Sequence, residues 1–151
     1  MANRMETRLI EPLYNLLQNE RYVLLATIDY ENGGPSSSAL SWVYAKDEET
    51  IFFAVDQRSR IIQNLNANNQ AAITMIANES TYSISGNCKI VKEKLEDVPL
   101  KLSLVKLDIE QVRDVMFYGS KIATEPSYDK TYDREAAERL DHQVMEALKK
   151  A

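Results

Sequence analysis

The residues best equipped for chemistry stand at positions 54–64, AVDQRSRIIQN. A β-prone apolar run ends at Asp56 and a polar turn follows. Ser59 then precedes Ile61, Ile62 and Leu65 at helical spacing, which predicts a helix within residues 58–68 with Ser59 at its N-cap. The first amides of a helix lack intrahelical acceptors and its dipole is positive at that end, so the position attracts anions. The Ser59 hydroxyl and the guanidinium groups of Arg58 and Arg60 would add charge-assisted hydrogen bonds suited to a phosphoryl group. On the segment alone, an ordinary Ser cap beside two solvated arginines accounts for the same residues.

A second candidate is the run SSSALSWVYA at positions 36–45. Ser36, Ser37, Ser38 and Ser41 are small enough to let a flat ligand approach a strand backbone, and Trp42, the sole tryptophan, could form a wall. A barrel strand alternating polar and apolar faces explains the run equally well. Other groups are weaker. His142, the only histidine, sits one position off an apolar helical stripe and reads as structural or solvated. Cys88, the only cysteine, reads as a buried thiol. Tyr118, Gly119 and Lys121 close the β-rich region and could approach a ligand from above.

These groups need a scaffold, and the apolar patterning supplies one. Leu9, Ile10, Leu13, Leu16 and Leu17 predict an opening helix over residues 6–19, with Pro12 tolerable near its start. Residues 21–29 (RYVLLATID) read as a strand buried on both faces, and Asn32-Gly33-Gly34 signals a hairpin into residues 36–45. With residues 50–56 (TIFFAVD) these make a three-stranded antiparallel meander. Residues 71–77 and 81–91 are further strands, the latter with Gly86 marking a bulge or sharp coil. Residues 100–108 form a sixth strand, and residues 112–118 a seventh after a bend. Asp133 caps a last helix with Ala137, Leu140, Val144 and Leu148 on one stripe. The expected fold is mainly β: a six- to seven-stranded antiparallel split β-barrel with an N-terminal helix, a short helix after the third strand and a C-terminal helix. It is expected to be one domain over residues 1–151.

Composition narrows the function classes. A net charge of -5 disfavours a nucleic-acid surface without forbidding one locally gripped phosphate. Cys88 and His142 alone make a poor metal ligand set, and a single cysteine permits no intramolecular disulfide. No apolar run approaches the roughly 20 residues of a membrane span, and the N-terminus lacks a signal-peptide pattern. The expectation is a cytoplasmic protein with neither nucleic-acid nor membrane partners.

The order LLATID, turn, GGPSSSALSWVYA, turn, TIFFAVD, then Ser59-Arg60 and the strand pair ending in ISG resembles the FMN-binding split-barrel family of pyridoxamine 5'-phosphate oxidase-like proteins, over about residues 13–118. The resemblance implies a homodimer with two FMN sites between subunits. Residues Ala39, Leu40, Ser41, Trp42 and Tyr44 would run past the flavin ring, and Ala54 and Val55 would line its site. Ser59 and Arg60 match the phosphate-holding pair, Arg58 could add one cation, and Thr81 would reach across from the partner subunit. Ala39, Tyr44 and Ile61 stand where authentic pyridoxamine phosphate oxidases carry cationic residues, so vitamin B6 oxidation is not expected. The implied activity is that of an FMN-dependent oxidoreductase passing electrons from a reduced nicotinamide to a small-molecule acceptor. Alternatives are the same groove holding deazaflavin or haem, or a non-catalytic storage, sensing or stress-associated module, with a cofactor other than FMN or none.

Overall fold

The computed structural model describes residues 5–151. The first four residues of the N-terminal stretch lie outside the described residues. In chain order the elements are β1 (Met5–Glu6), α1 (Glu11–Leu16), β2 (Val23–Ile28), β3 (Pro35–Leu40), β4 (Val43–Asp47), β5 (Thr50–Asp56), α2 (Arg60–Ala67), β6 (Gln70–Ala77), β7 (Ser80–Lys92), β8 (Leu102–Asp114) and α3 (Arg134–Lys150). The strands form one antiparallel sheet in the order β3-β2-β6-β7-β8-β5-β4, with β1 paired to β8.

The fold class is as expected, and the departures have local causes. The run at residues 36–45 is not one strand but two, broken at Ser41 and Trp42. Ser41 O accepts the Arg21 amide at 3.0 Å, on the β2 side, whereas Trp42 O accepts the Ala54 amide at 3.1 Å, on the β5 side. One bend thus carries the chain between the two ends of the sheet, and closes it through the backbone. The first three strands are therefore two separate ladders, β2 with β3 and β4 with β5, rather than a meander. The expected sixth and seventh strands are one long β8 whose register against β7 slips at Ser85/Gly86, opposite Ile109 and Gln111. A Cβ at Gly86 would lie 1.9 Å from the Asp108 carbonyl oxygen, so the bulge requires glycine. The opening helix is shorter than its apolar pattern at both ends: Met5 and Glu6 pair with Arg113 and Val112 of β8, and the helix stops at Leu16 with Leu17 as its C-cap.

Two apolar cores share β5. Ile51, Phe53 and Val55 point into the barrel with Leu13, Leu25, Ile73, Met75, Ile84, Val105 and Leu107. Phe52 and Ala54 point outward beneath Val144, Met145, Ala147 and Leu148 of α3, with Trp42 and Tyr44 packed alongside. The strand buried on both faces is thus β5 and not β2. Burial alternates along β2 and Leu24 stays 38% exposed, because α3 lies over β4 and β5. Each fully buried Leu or Val on α3 contributes about 1.5–3 kcal/mol to this attachment. Asp133 Oδ2 accepts the Ala136 amide at 3.2 Å, giving α3 the expected cap.

Candidate functional site

The bend at Ser41 and Trp42, the end of β5 and the start of α2 converge on one open cleft of about 410 Å3. Ser38, Ala39, Leu40, Ser41 and Trp42 line one side, Ala54, Val55 and Asp56 the other, and Ser59 and Ile61 close one end. They meet because β5 runs straight into the turn that starts α2. Within that turn Asp56 O accepts the Ser59 amide at 2.9 Å, and Asp56 Oδ1 accepts the Arg58 amide at 2.8 Å. Ser59 Oγ caps α2 by accepting the Ile61 amide at 3.1 Å. The Arg58 amide, then its side chain, holds the Asp56 carboxyl below its usual range, so the cleft carries a carboxylate at neutral pH.

α2 is tied to the β2–β3 turn by a buried asparagine. Asn64 Nδ2 donates to Thr27 Oγ1 at 3.0 Å and Asn64 Oδ1 accepts the Tyr30 amide at 2.9 Å. Arg60 makes a second tie. Its guanidinium grips Asp29 at 2.8 and 3.1 Å and Glu31 at 2.7 Å, and lies 4.7 Å from the Tyr30 ring centroid. The Arg60 side chain, followed by the Glu31 amide, lowers the Asp29 pKa to about 2.

Of the residues singled out from sequence, Ala39, Leu40, Ser41, Trp42, Ala54, Val55 and Ser59 are brought together in this cleft. Four are not. Tyr44 packs in the outer core beneath α3. Arg58 projects into solvent with a 3.4 Å ion pair to Asp56. Arg60 stands beside the cleft with its fork on two carboxylates. Thr81 lies on β7, its hydroxyl 3.7 Å from Met116 Sδ. Burial pushes the Cys88 thiol up to about 12, with Asp108 adding to it, so it is an unreactive core group. His142 is exposed on α3. Tyr118 and Phe117 are exposed, and Lys121 pairs with Glu79 at 3.1 Å.

Sequence reading missed Asp56 as a lining group, Asp29 and Glu31 as partners of Arg60, and the carboxylate that holds Trp42. Trp42 Nε1 donates to Asp141 Oδ1 of α3 at 2.8 Å. Only the N-G-G turn placing Asp29 and Glu31 at a hairpin carried a local signal, and nothing local links Trp42 to a residue 99 positions away. A second cavity, about 560 Å3, lies on the Asp141 side and is lined by Glu20, Tyr128, Asp129, Lys130, Arg134, Glu138 and Asp141. Its charges are largely cross-paired, and it lacks the exposed strand backbone of the first. Among the described residues no group of three or more His, Cys, Asp or Glu side chains could hold a metal ion. No helix among them is long and apolar enough to cross a membrane.

The family model for pyridoxamine 5'-phosphate oxidase matches residues 10–116, which contain the whole cleft. The chain belongs to the pyridoxamine 5'-phosphate oxidase family. Solved structures share its split-barrel fold. A Lactobacillus delbrueckii protein named for pyridoxamine 5'-phosphate oxidase superposes with a TM-score of 0.63 at 19% identity, covering 74% of this chain and 98% of its own. The heme storage protein HutZ of Vibrio cholerae gives 0.52 at 19% identity, covering 68% and 91%. A pyridoxamine 5'-phosphate oxidase-related, FMN binding protein of Nostoc punctiforme gives 0.51 at 19% identity, covering 61% and 72%. No curated protein matches the chain.

The cleft suits the ring of FMN better than its phosphate. Its volume lies within the roughly 300–1,000 Å3 typical of small-molecule sites. The exposed Ala39 leaves room for a plane to approach the β3 backbone. At the Ser59 end the Ser59 amide is held by Asp56 O and the Ile61 amide by Ser59 Oγ, and a phosphate would share Arg60 with Asp29 and Glu31.

Proposed function

We propose that this protein is an FMN-binding flavoprotein of the oxidoreductase type, accepting electrons from a reduced nicotinamide and delivering them to a small acceptor. The observation that carries the reading is the convergence of the Ala39–Trp42 backbone, Ala54 and Val55 with the Ser59-capped start of α2 on one cleft. The ring would lie along residues 39–42, meeting main-chain donors and acceptors, with Trp42 as a wall. Ser59 and the α2 amides would hold the phosphate, with Arg60 supplying charge and Arg58 screening it from outside. FMN, when bound, supplies the redox chemistry; the chain supplies orientation, electrostatics and access.

The cleft is open on one side, and Phe117 and Tyr118 are 69% and 99% exposed. Both features support a homodimer in which a second copy covers the cleft and its Thr81 completes it. The buried, unreactive Cys88 suits a cytoplasmic setting, which belongs to the same proposal.

The commitment of Arg60 to two carboxylates favours a second reading, a module that binds its cofactor without turnover or that takes deazaflavin or haem instead. Titration decides. FMN should bind, and reduced nicotinamide should bleach its visible absorbance. Arg60→Ala should weaken FMN by about tenfold or more, the loss expected for a charge-assisted contact, while leaving riboflavin affinity unchanged. Equal loss for both ligands would remove Arg60 from the phosphate site, and no FMN uptake at all would favour the second reading. Light scattering that finds only monomer would remove the shared cleft.

A further inference from the structure

The family match ends at residue 116, yet one wall of the cleft is governed from beyond it. Trp42 stands between the two cavities. Trp42 lines the 410 Å3 cleft and packs against the outer core, while its indole nitrogen donates to Asp141, which lines the 560 Å3 cavity on α3. Indole has one polar hydrogen and no acceptor, so this bond uses its whole hydrogen-bonding capacity. Asp141 is itself 8% exposed and is fixed on its other oxygen by Lys130 Nζ at 2.7 Å. Lys130 in turn reaches Glu20 at 3.4 Å, just ahead of the Arg21 amide that pairs with Ser41. The chain of contacts therefore grips the bend at Ser41 and Trp42 from its outer side.

We infer that Asp141 is a positioning residue for ligand recognition: by taking the indole N–H of Trp42 it orients the ring and turns that wall of the cleft into a purely carbon surface. The inference rests on the reading of the cleft as a cofactor site. The ligand rim that meets Trp42 must then be apolar or aromatic. Its polar edges are left to Ser38, Ser41 and the strand backbone. A ring with one hydrocarbon rim and one heteroatom rim can enter in one orientation only, because the reverse would bury its polar rim against Trp42 without partners.

Trp42 is the only tryptophan, so emission and the indole N–H resonance both report on this wall alone. In the unliganded protein the Trp42 indole proton should exchange slowly with water, and a fast-exchanging proton overturns the inference without any variant. Asp141→Ala, a good helix former, should increase acrylamide quenching of Trp42 and speed that exchange, whereas Asp141→Asn keeps an acceptor and should stay near wild type. With FMN as probe, Asp141→Ala should bind about tenfold more weakly and Asp141→Asn within about twofold, the loss expected when a hydrogen bond to a charged group is removed. Unchanged quenching in Asp141→Ala overturns the inference, as does altered quenching with unchanged FMN affinity. An Asp141→Asn as perturbed as Asp141→Ala also overturns it. Wild-type protein that takes up no FMN sinks the cofactor reading instead, and the quenching and exchange data still decide whether Asp141 orients Trp42.

Discussion

Two cations in this molecule are each held between two carboxylates, one beside the 410 Å3 cleft and the other in the 560 Å3 cavity. Arg60 lies between Asp29 and Glu31 at the start of α2, and Lys130 lies between Glu20 and Asp141 beneath α3. The inventories match; the electrostatic outcomes are opposite. The planar guanidinium meets Asp29 through two nitrogens, and the Asp29 pKa falls to about 2. The ammonium is a point charge shared unequally, 2.7 Å from Asp141 and 3.4 Å from Glu20. There burial, with the neighbouring charge of Asp141, raises the Glu20 pKa above its usual range in spite of Lys130. The Lys130 pKa is raised as well, since partial burial opposes its charge but the Asp141 hydrogen bond and Glu20 outweigh it. Pair geometry and solvent access, not the count of charges, decide whether such a cluster stabilises its acids.

The largest effect should come from the more buried cluster. Lys130→Met leaves Asp141 and Glu20 facing one another without a counter-ion and should destabilise the fold by about 2 kcal/mol, read from denaturant midpoints at pH 7. The corresponding Arg60→Met exposes its acids to water and should cost less. At the exposed cluster the larger consequence is for a ligand. Asp29→Asn releases part of the Arg60 fork and should tighten FMN relative to riboflavin by about fivefold, measured by fluorescence titration.

The smallest effect is on the pH profile, where the two clusters act with opposite sign. The folded-state pKa of Glu20 is raised, so the folded chain takes up that proton before the unfolded one, and stability rises as pH falls through this range. Asp29 is depressed from roughly 3.9 in the unfolded chain, so its contribution is complete above that value and is lost as pH falls from there to about 2. Denaturant midpoints against pH should show both limbs, with Glu20→Gln flattening the upper and Asp29→Asn the lower. A lower limb unchanged in Asp29→Asn would refute the ion pair.

Most of the barrel was legible because its signals are local. TIFFAVD, the N-G-G turn, Gly86 and the Ser59 and Asp133 caps each declare themselves within a few residues. The unread parts depend on residues far apart. SSSALSWVYA looks continuous, and its break at Ser41 and Trp42 follows from which neighbours, Arg21 or Ala54, claim each carbonyl. The double burial of β5 rather than β2 follows from where α3 docks. The cleft-lining strand residues were readable as small and backbone-exposing, whereas Arg60's partners 29 and 31 positions away and Trp42's partner on α3 were not.

The strand order along the sheet also sets a timetable for assembly. β5 lies beside β8 and β2 beside β6, so neither hairpin at the sheet ends can complete its pairing until far later residues exist. A chain growing from its N-terminus would carry one backbone edge of β5 unpaired until β8 has emerged, and its outer apolar face uncovered until α3 follows. Such non-local closure is slow, and nascent or truncated chains are the forms of this protein most exposed to aggregation.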